Sequence, residues 1–246
     1  MKTIQFIPVT SGVVGAVAPP IPAHKMLPNW YREQPASTTE HTRMEINGKA
    51  NATIKKCMPV LDDMTAGYLF TTPCDIQFDR VDPHKYDVTW SLEIGGMPER
   101  GLEALGDPVI TSHAFEQVSH LHIPEEFFQQ VWKLTNYYRI RTPKGYSCLF
   151  RQPSWRDDLP FRVFSGIVDT DRHPVEVNFP FILRNSFDGI LPAGTPFVQI
   201  IPFKRTKWQS VVLDEPNHDG AREFRASTKR MMHRYKDNWR SFKTWR

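Results

Sequence analysis

The chain has 246 residues, of which 40% are apolar and 24% are charged, and its formal net charge of +4 is unremarkable for a globular protein. No apolar run approaches the length of about 18 residues that a membrane-spanning helix needs. The three cysteines are widely spaced and form no CxxC pair, which argues against a disulfide framework or a zinc ribbon and favours a reducing compartment.

Proline is frequent in this chain and glycine is comparatively scarce, with 21 and 13 residues respectively. Proline interrupts both helices and central strands. We therefore expect many short elements joined by ordered loops. The length fits one large β-rich domain, or one domain with extensions at its ends.

Residues 1–53 predict a strand followed by an extended arm. The strand is expected at residues 3–9, where Gln5 and Pro8 break the apolar stretch that a secretory signal needs. Residues 18–29 read APPIPAHKMLPN, and this proline content favours an extended rather than a helical backbone. Such an arm wraps either its own domain or a neighbouring subunit.

Residues 54–214 form the expected β domain. Gly67 marks a turn, and strands are predicted at 68–72 and 75–78, separated by a proline. The alternating pattern over 86–94 predicts a further strand.

An insertion at about 84–135 is expected within this domain, and residues 124–132 predict a short helix or an irregular turn.

Two patterns, one in this insertion and one upstream of it, have both a metal-binding and an ordinary interpretation. His120 and His122 on one strand face, with Glu126 nearby, have ligand types typical of an iron site, although histidines on an exposed insertion are also common. Asp62 and Asp63 either bind a metal or are acids at a turn that are solvated or cap a helix.

The stretch 163–203 is the one around which the domain is organised. Two apolar, β-branched runs flank a glycine-containing turn, and Asp169 and Asp171 directly follow the first run. An Asp-x-Asp before a turn often hydrogen-bonds the local backbone. A structural role for Asp169 therefore stays open beside a catalytic one.

Residues 215–246 predict a basic, amphipathic C-terminal helix. Residues 221–246 contain nine lysines and arginines against two acids, and aromatic residues recur at helical spacing. The aromatic stripe is expected to dock on a core. The basic face is expected either to be solvated or to contact nucleic acid or an acidic protein. The residues of that surface are Arg230, Arg234, Lys236 and Arg240.

Four segments resemble the motifs of the trimeric dUTPase family and its deoxycytidylate-deaminase relatives. Residues 65–69 (TAGYL) resemble the first motif, and residues 143–146 (PKGY) resemble the entry to the second. Residues 166–171 (GIVDTD) and 194–199 (GTPFVQ) resemble the third and fourth. The chain also resembles, over most of its length, a family of tailed-phage and bacterial proteins that brings no known activity.

The first resemblance implies a mainly β fold, with a dUTPase-like β-clip core of mostly antiparallel strands. By analogy it also implies a homo-oligomer, specifically a trimer. In that family the aspartate corresponding to Asp169 activates the attacking water, and Mg²⁺ assists at the phosphate chain. The implied ligand-binding residues are Tyr68, Tyr146, Arg151, Asp171 and Gln199.

Several features of the dUTPase site are lost. Leu69 stands where the family has an aspartate, and Arg172 replaces the tyrosine that stacks on deoxyribose. Pro153 interrupts the phosphate clamp and removes a backbone donor. The basic tail stands in place of a glycine-rich lid. These losses favour a shared fold over a shared activity.

The sequence therefore favours a non-enzymatic assembly or binding protein of phage type, in the host cytoplasm or in a virion, with no cofactor. Expected partners are further copies of the chain, phage structural proteins and, through the tail, nucleic acid, but no membrane. One alternative is a nucleotide-binding protein or Mg²⁺-dependent nucleotide pyrophosphohydrolase with a diverged pocket. Another is a metal-dependent oxygenase that uses His120, His122 and Glu126.

Overall fold

The computed structural model describes residues 2–37, 52–92, 108–214, 220 and 235–245. Over these residues the fold is mainly β, and every strand pairing is antiparallel. The prediction of a mainly β fold with mostly antiparallel strands is therefore confirmed. All three cysteines are free thiols, so no disulfide links the sheets.

The elements are short, as the proline content predicts. The strands are β1 (Gln5–Pro8), β2 (Ile21–Pro22), β3 (Tyr68–Thr71), β4 (Ile76–Asp82), β5 (Lys85–Trp90), β6 (Ile110–Ser112), β7 (Trp132–Leu134), β8 (Tyr138–Arg141), β9 (Tyr146–Arg151), β10 (Phe161–Val163), β11 (Gly166–Val168), β12 (Phe179–Leu183), β13 (Gly189–Leu191) and β14 (Pro196–Lys204). The α-helices are α1 (Asn29–Glu33), α2 (Met58–Met64) and α3 (Phe115–Val118), with 3₁₀ turns at Ser11–Val13, Ala23–Met26 and Ile54–Lys56 and a π-helical turn at Tyr235–Trp239.

The largest sheet has five strands in the order β11-β9-β14-β3-β2. A four-stranded sheet has the order β10-β12-β7-β6, a three-stranded sheet has the order β13-β4-β5, and β1 pairs with β8. The nine-residue strand β14 lies in the centre of the largest sheet, between β9 and β3. The end of the stretch 163–203 thus occupies a central position in the fold.

Aromatic rings fill a core to which all four sheets contribute. Phe78, Phe181 and Phe197 are fully buried. The ring of Phe181 meets that of Phe197 edge-on at 5.1 Å between centroids, and Trp132 stacks against Phe181 at 5.9 Å. Burying each such side chain contributes roughly 1.5–3 kcal/mol. These contacts hold the sheets against one another and so fix the positions of the loops between strands.

The N-terminal segment packs on the same domain through strand pairing. Strand β1 pairs with β8, and β2 pairs with β3 at the edge of the largest sheet. The expectation of a wholly extended arm is wrong, because Ala23–Met26 is a 3₁₀ turn and α1 follows it. Pro22 and Pro28 are the N-cap residues of these two elements. The fixed φ of proline is compatible with a helix start, although it is unfavourable inside a helix.

Three predicted strands are present with small shifts of their bounds. The patterns over 68–72 and 75–78 correspond to β3 and β4. The pattern over 86–94 corresponds to β5 as far as residue 90, and residues 93–94 lie outside the described residues. Of the two alternatives predicted for residues 124–132, the irregular turn is confirmed for 124–131, and Trp132 begins β7. The predicted strand face carrying His120 and His122 is wrong, because both residues lie in a loop after α3.

Only a small part of the expected C-terminal helix falls within the described residues. The π-helical turn Tyr235–Trp239 is helical, but residues 240–245 have no regular structure. For residues 240–245 the helix prediction is therefore wrong. Arg230 and Arg234 lie outside the described residues.

Candidate functional site

The largest sheet brings the four motif-like segments together. Residues 65–69 lead into β3, and residues 143–146 lead into β9. Residues 166–171 comprise β11 and the turn after it, while residues 194–199 begin β14. Since β11, β9, β14 and β3 are successive neighbours in this sheet, segments far apart in sequence lie side by side. The predicted site residues divide among three clusters on and around it.

The first cluster is a brace formed by Arg205 with Asp169 and Asp171. The guanidinium donates two hydrogen bonds to the Asp171 carboxylate, at 2.8 and 2.5 Å, and contacts Asp169 Oδ1 at 2.9 Å. The Ser147 hydroxyl donates to Asp169 Oδ1 at 2.6 Å, and the Gly145 N–H donates to Asp171 Oδ2 at 2.7 Å. The Asp-x-Asp pair therefore links the turn after β11 to the turn before β9 and to the end of β14.

The two carboxylates differ in exposure and share a shift in pKa. The Asp171 side chain is 3% exposed, whereas that of Asp169 is 50% exposed. Hydrogen bonds from Arg205 lower the pKa of Asp171 to about 2. The hydrogen bond from Ser147 lowers the pKa of Asp169, and Arg205 adds to the effect. A water-activating base needs a higher pKa than these environments give, so the brace fits the structural interpretation of Asp169 better than the catalytic one.

We expect the brace to be one source of acid sensitivity. An aspartate in an unfolded chain has a pKa of about 3.9, and the folded value for Asp171 is about 2. Because the folded pKa is the lower one, the stabilisation is present above about pH 4 and is lost as the pH falls towards about 2. In the variant Asp171→Asn the unfolding free energy should be lower at neutral pH and should fall less between about pH 4 and 2. Urea denaturation across that range measures both.

The matched control for this prediction is Asp157→Asn, which changes an exposed carboxyl two residues beyond Trp155. It should retain the acid dependence of the wild-type protein. A constant difference between wild type and Asp171→Asn from pH 7 to pH 2 would contradict the role given to the brace.

The second cluster centres on the amide of Gln199, which is fully buried on β14. Its Nε2 donates to the carbonyl oxygens of Asp63 at 2.9 Å and Ala66 at 2.8 Å. Its Oε1 accepts from the Ser154 N–H at 3.1 Å and the Ser154 hydroxyl at 2.8 Å. All four hydrogen-bonding positions of the amide are used inside the protein. Gln199 therefore joins β14 to the end of α2 and to the loop after β9.

Arg151 belongs to the same cluster. Its guanidinium forms an ion pair with Asp63 Oδ1 at 2.8 Å and also donates to the Ser154 hydroxyl. The predicted ligand-binding residues Arg151 and Gln199 are thus brought together, but both side chains hydrogen-bond to Asp63 and Ser154 of the protein itself. Asp63 lies in α2, so the prediction of a turn for this acid is wrong.

The third cluster is a pocket of about 350 Å³ between the sheet and the C-terminal segment. Tyr68 and Tyr146, two of the predicted ligand-binding residues, both line it, together with Lys2 and Trp245. The rings of Tyr68 and Trp245 meet edge-on at 6.2 Å between centroids. Burial raises the pKa of the Tyr68 phenol, so this group stays neutral near physiological pH. Neither Asp169 nor Asp171 lines the pocket.

The C-terminal segment is attached to α2 by ion pairs that the sequence did not indicate. Arg240 donates from Nη2 to Asp62 Oδ1 at 2.5 Å and from Nε at 3.1 Å, and Lys243 Nζ lies 2.9 Å from Asp62 Oδ2. The hydrogen bonds from Arg240 lower the pKa of Asp62. Lys236 is exposed. Of the basic residues predicted to form a partner surface, Arg240 therefore has an internal partner and Lys236 faces solvent.

The histidine pattern does not form a ligand cluster. His120, His122 and Glu126 are all exposed in the loop between α3 and β7. In the part of the chain that the structure describes, no group of three or more histidine, cysteine, aspartate or glutamate side chains is placed to hold a metal ion. The close spacing of these three residues in sequence therefore does not bring their side chains together as metal ligands.

Comparisons of the chain with protein-family models, curated proteins and solved structures find no match. No helix among the described residues is both long enough and apolar enough to cross a membrane.

Proposed function

We propose that this chain is a non-enzymatic assembly protein of phage type, built on a dUTPase-like β-clip core. It oligomerises through residues 206–214, which we name the exposed arm. The observation that carries this proposal is the apolar surface of that arm. Trp208 is 87% exposed and Val212 is 91% exposed, and Val211 and Leu213 are also largely in solvent.

The exposed arm has the properties of a segment that pairs with another chain. It follows β14 without regular structure, and no backbone hydrogen bond joins it to another described residue. Nine residues in an extended conformation reach about 30 Å. Contiguous apolar surface of this kind is typical of protein interaction sites, because isolated exposure leaves it in unfavourable contact with water.

A second copy of the chain offers a surface for the arm at β11. This strand is at one edge of the largest sheet, and one side of its backbone pairs with no other strand of the described residues. Ile167 on β11 is 65% exposed. An extended segment that adds to such an edge gains main-chain hydrogen bonds and buries side chains from both partners. By analogy with dUTPases, we propose a trimer.

The internal partners of the predicted catalytic and ligand-binding groups also support a non-enzymatic role. Asp169, the predicted catalytic residue, and Asp171 are both held by Arg205. The amide of Gln199, a predicted ligand-binding residue, has all its hydrogen bonds within the protein. The adjacency of four motif-like segments in one sheet supports the β-clip relationship. These observations favour a core that keeps the arrangement of the fold and uses its polar residues for stability.

The double variant Trp208→Ser, Val212→Ser tests the assembly directly. We expect the wild-type protein to be an oligomer and the variant to be a monomer, because the substitutions remove the two most exposed apolar side chains of the arm. Light scattering coupled to size-exclusion chromatography measures the mass. Ile167→Glu on the β11 edge should have the same effect, since it changes the proposed acceptor surface.

The control is the double variant Val14→Ser, Val175→Ser, which removes exposed apolar side chains elsewhere and should remain oligomeric. A monomeric wild-type protein at about 100 μM, well above typical dissociation constants of stable oligomers, would reject the proposal. So would arm variants with an unchanged mass.

A second candidate function is nucleotide binding, and the pocket that contains Tyr68 and Tyr146 is the observation that favours it. Two of the five residues implied by the dUTPase resemblance line this one pocket, which is large enough for a small ligand. Lys2 supplies a positive charge at its wall. Titration calorimetry with nucleotides and Mg²⁺ is the direct test of this candidate.

A further inference from the structure

A second cleft, of about 430 Å³, lies between the segment around α1 and the loop after β9. Trp30 lines it, and the indole of Trp30 contacts that of Trp155 at 6.3 Å between ring centroids. The indole N–H of Trp30 donates to the carbonyl oxygen of Trp155 at 3.1 Å. We name this site the tryptophan cleft.

Both indoles of the tryptophan cleft reach solvent. Trp30 is 37% exposed and Trp155 is 42% exposed. Trp155 has a φ of +61°, and among the described residues it is the one non-glycine residue with a positive φ. A left-handed backbone is unfavourable for a bulky side chain, and such conformations are concentrated at binding sites. The chain thus keeps a large aromatic ring at a position where glycine would fit more easily.

Cationic side chains lie in and beside the cleft. Lys25 and Arg32 line the cleft, and Lys55 Nζ donates to the carbonyl oxygen of Arg32 at 2.7 Å. None of these three cations forms an ion pair with another described residue. Arg156 also lines the cleft, but its guanidinium binds Asp158 in a bidentate manner. Among the described residues, Lys25 and Arg32 therefore add positive charge without an acidic partner to the wall of the cleft, and Lys55 adds a third such charge beside Arg32.

The basic C-terminal segment is linked to the cleft through Tyr31. The ring of Tyr31 contacts Trp30 at 5.6 Å between centroids. Burial raises the pKa of the Tyr31 phenol, and the charge of Arg240 is close enough to oppose that rise. Arg240 and Lys243 share the single carboxylate of Asp62, which leaves a net positive charge there as well. Lys243, which is 47% exposed, therefore places a further cation on the C-terminal segment.

We propose that the tryptophan cleft binds single-stranded nucleic acid, with bases stacked on Trp30 and Trp155 and phosphates bound by Lys25, Arg32 and Lys55. Exposed aromatic rings bordered by cations are the combination that single strands require, because every base has a face that stacks and every linkage carries a charge. An acidic polypeptide would use the cations without needing two exposed indoles. The proposal does not depend on the oligomeric state of the chain.

Fluorescence anisotropy of the full chain with a labelled oligothymidylate of about 16 nucleotides is the test, since known sites span about 4–16 nucleotides. We expect binding that weakens with salt, with a slope of log affinity against log salt of about −2 for three phosphate contacts. Trp155→Gly should weaken binding about tenfold, because one stacked base is lost. Glycine suits the positive φ at this position, so the substitution should leave the fold intact. Arg32→Gln should reduce the slope by about 0.7.

Two matched variants serve as controls. Phe115→Ala removes an aromatic ring that is 72% exposed outside the cleft, and Lys85→Gln removes a cation that pairs with Asp87. Both should bind as tightly as the wild-type chain. Binding that is unchanged in Trp155→Gly would overturn the proposal and would point to the C-terminal segment instead. Failure to bind the oligonucleotide would overturn it too, as would equally tight, Trp155-dependent binding of polyglutamate.

Discussion

The substitution Gly67→Ala should reduce the unfolding free energy by about 4 kcal/mol, the largest effect we expect from any single methyl group in this chain. Gly67 has a φ of +69°, and a Cβ at this position would lie 1.9 Å from the carbonyl oxygen of Ile200 and 2.9 Å from its carbonyl carbon. The contact is with backbone at the centre of the largest sheet, so no side-chain rotation relieves it. Strand β3 would have to separate from β14. Urea denaturation followed by tryptophan fluorescence measures the loss.

The appropriate control is Gly194→Ala, which has a similar φ of +77° and no atom within 4 Å of the added Cβ. It should cost only the left-handed conformation, about 1 kcal/mol. If Gly67→Ala were as stable as Gly194→Ala, this result would contradict the close approach of the Gly67 and Ile200 backbones. If Gly67→Ala yielded no folded protein while Gly194→Ala folded normally, the steric argument would be supported in its strongest form.

The second large effect is expected at Gln199. Gln199→Leu keeps a similar volume but removes every hydrogen bond of the amide, leaving the carbonyl oxygens of Asp63 and Ala66 and the N–H of Ser154 without this partner. An unsatisfied buried polar group costs about 1–3 kcal/mol, so a loss of about 3 kcal/mol is expected for the set. Chemical denaturation without any ligand measures it. This separates a structural role from a ligand-binding one.

Gln129→Leu provides the comparison, since Gln129 is exposed and donates one hydrogen bond to the carbonyl oxygen of Phe127. Its effect should lie within about 0.5 kcal/mol. Unchanged stability in Gln199→Leu would show that the buried amide does not hold α2 and the β9 loop against the sheet. The residue would then be available for a ligand, as the dUTPase resemblance implies.

Strand positions around Gly67 could be predicted because the signals there are local. The apolar residues of β3 and β4 are separated by Pro73, and Gly67 precedes them with the left-handed φ that its turn requires. The central role of β14 was also predictable, because its run of apolar residues follows a glycine-containing turn. Pattern and turn chemistry agree at these positions, so the sequence specifies the strands without help from distant contacts.

The chemistry of the site residues depends on partners that are distant in sequence. Asp171 and Arg205 are 34 residues apart, and Gln199 and Asp63 are 136 residues apart. The motif resemblance identifies Asp169 and Gln199 as candidate site residues, but it does not identify the residues that pair with them. Arg205, Ser147 and Ser154 were therefore missed, and only the antiparallel order of β11, β9 and β14 explains why they converge.

Tertiary contacts also explain why the helix does not continue over residues 240–245. Helical periodicity is a weak preference, and it competes here with two cations bound to Asp62 and with the ring contact between Trp245 and Tyr68. The histidine pattern fails for a related reason. The prediction placed both histidines on one face of a strand, and His120 and His122 lie instead in a loop, where no third ligand group among the described residues converges on them.

Arg205 is the last residue held by the sheet and the one that immediately precedes the exposed arm. Its N–H donates to the Gly145 carbonyl oxygen at 2.8 Å, while its guanidinium is fixed by Asp169 and Asp171. Fully extended, the nine residues of the arm would reach about 30 Å from this fixed base. A rotation of about 10° at that base would move the tip by about 5 Å, roughly the spacing between neighbouring strands. In the proposed oligomer, the angle set at this one arginine would decide which strand of a second copy the far end of the arm can reach.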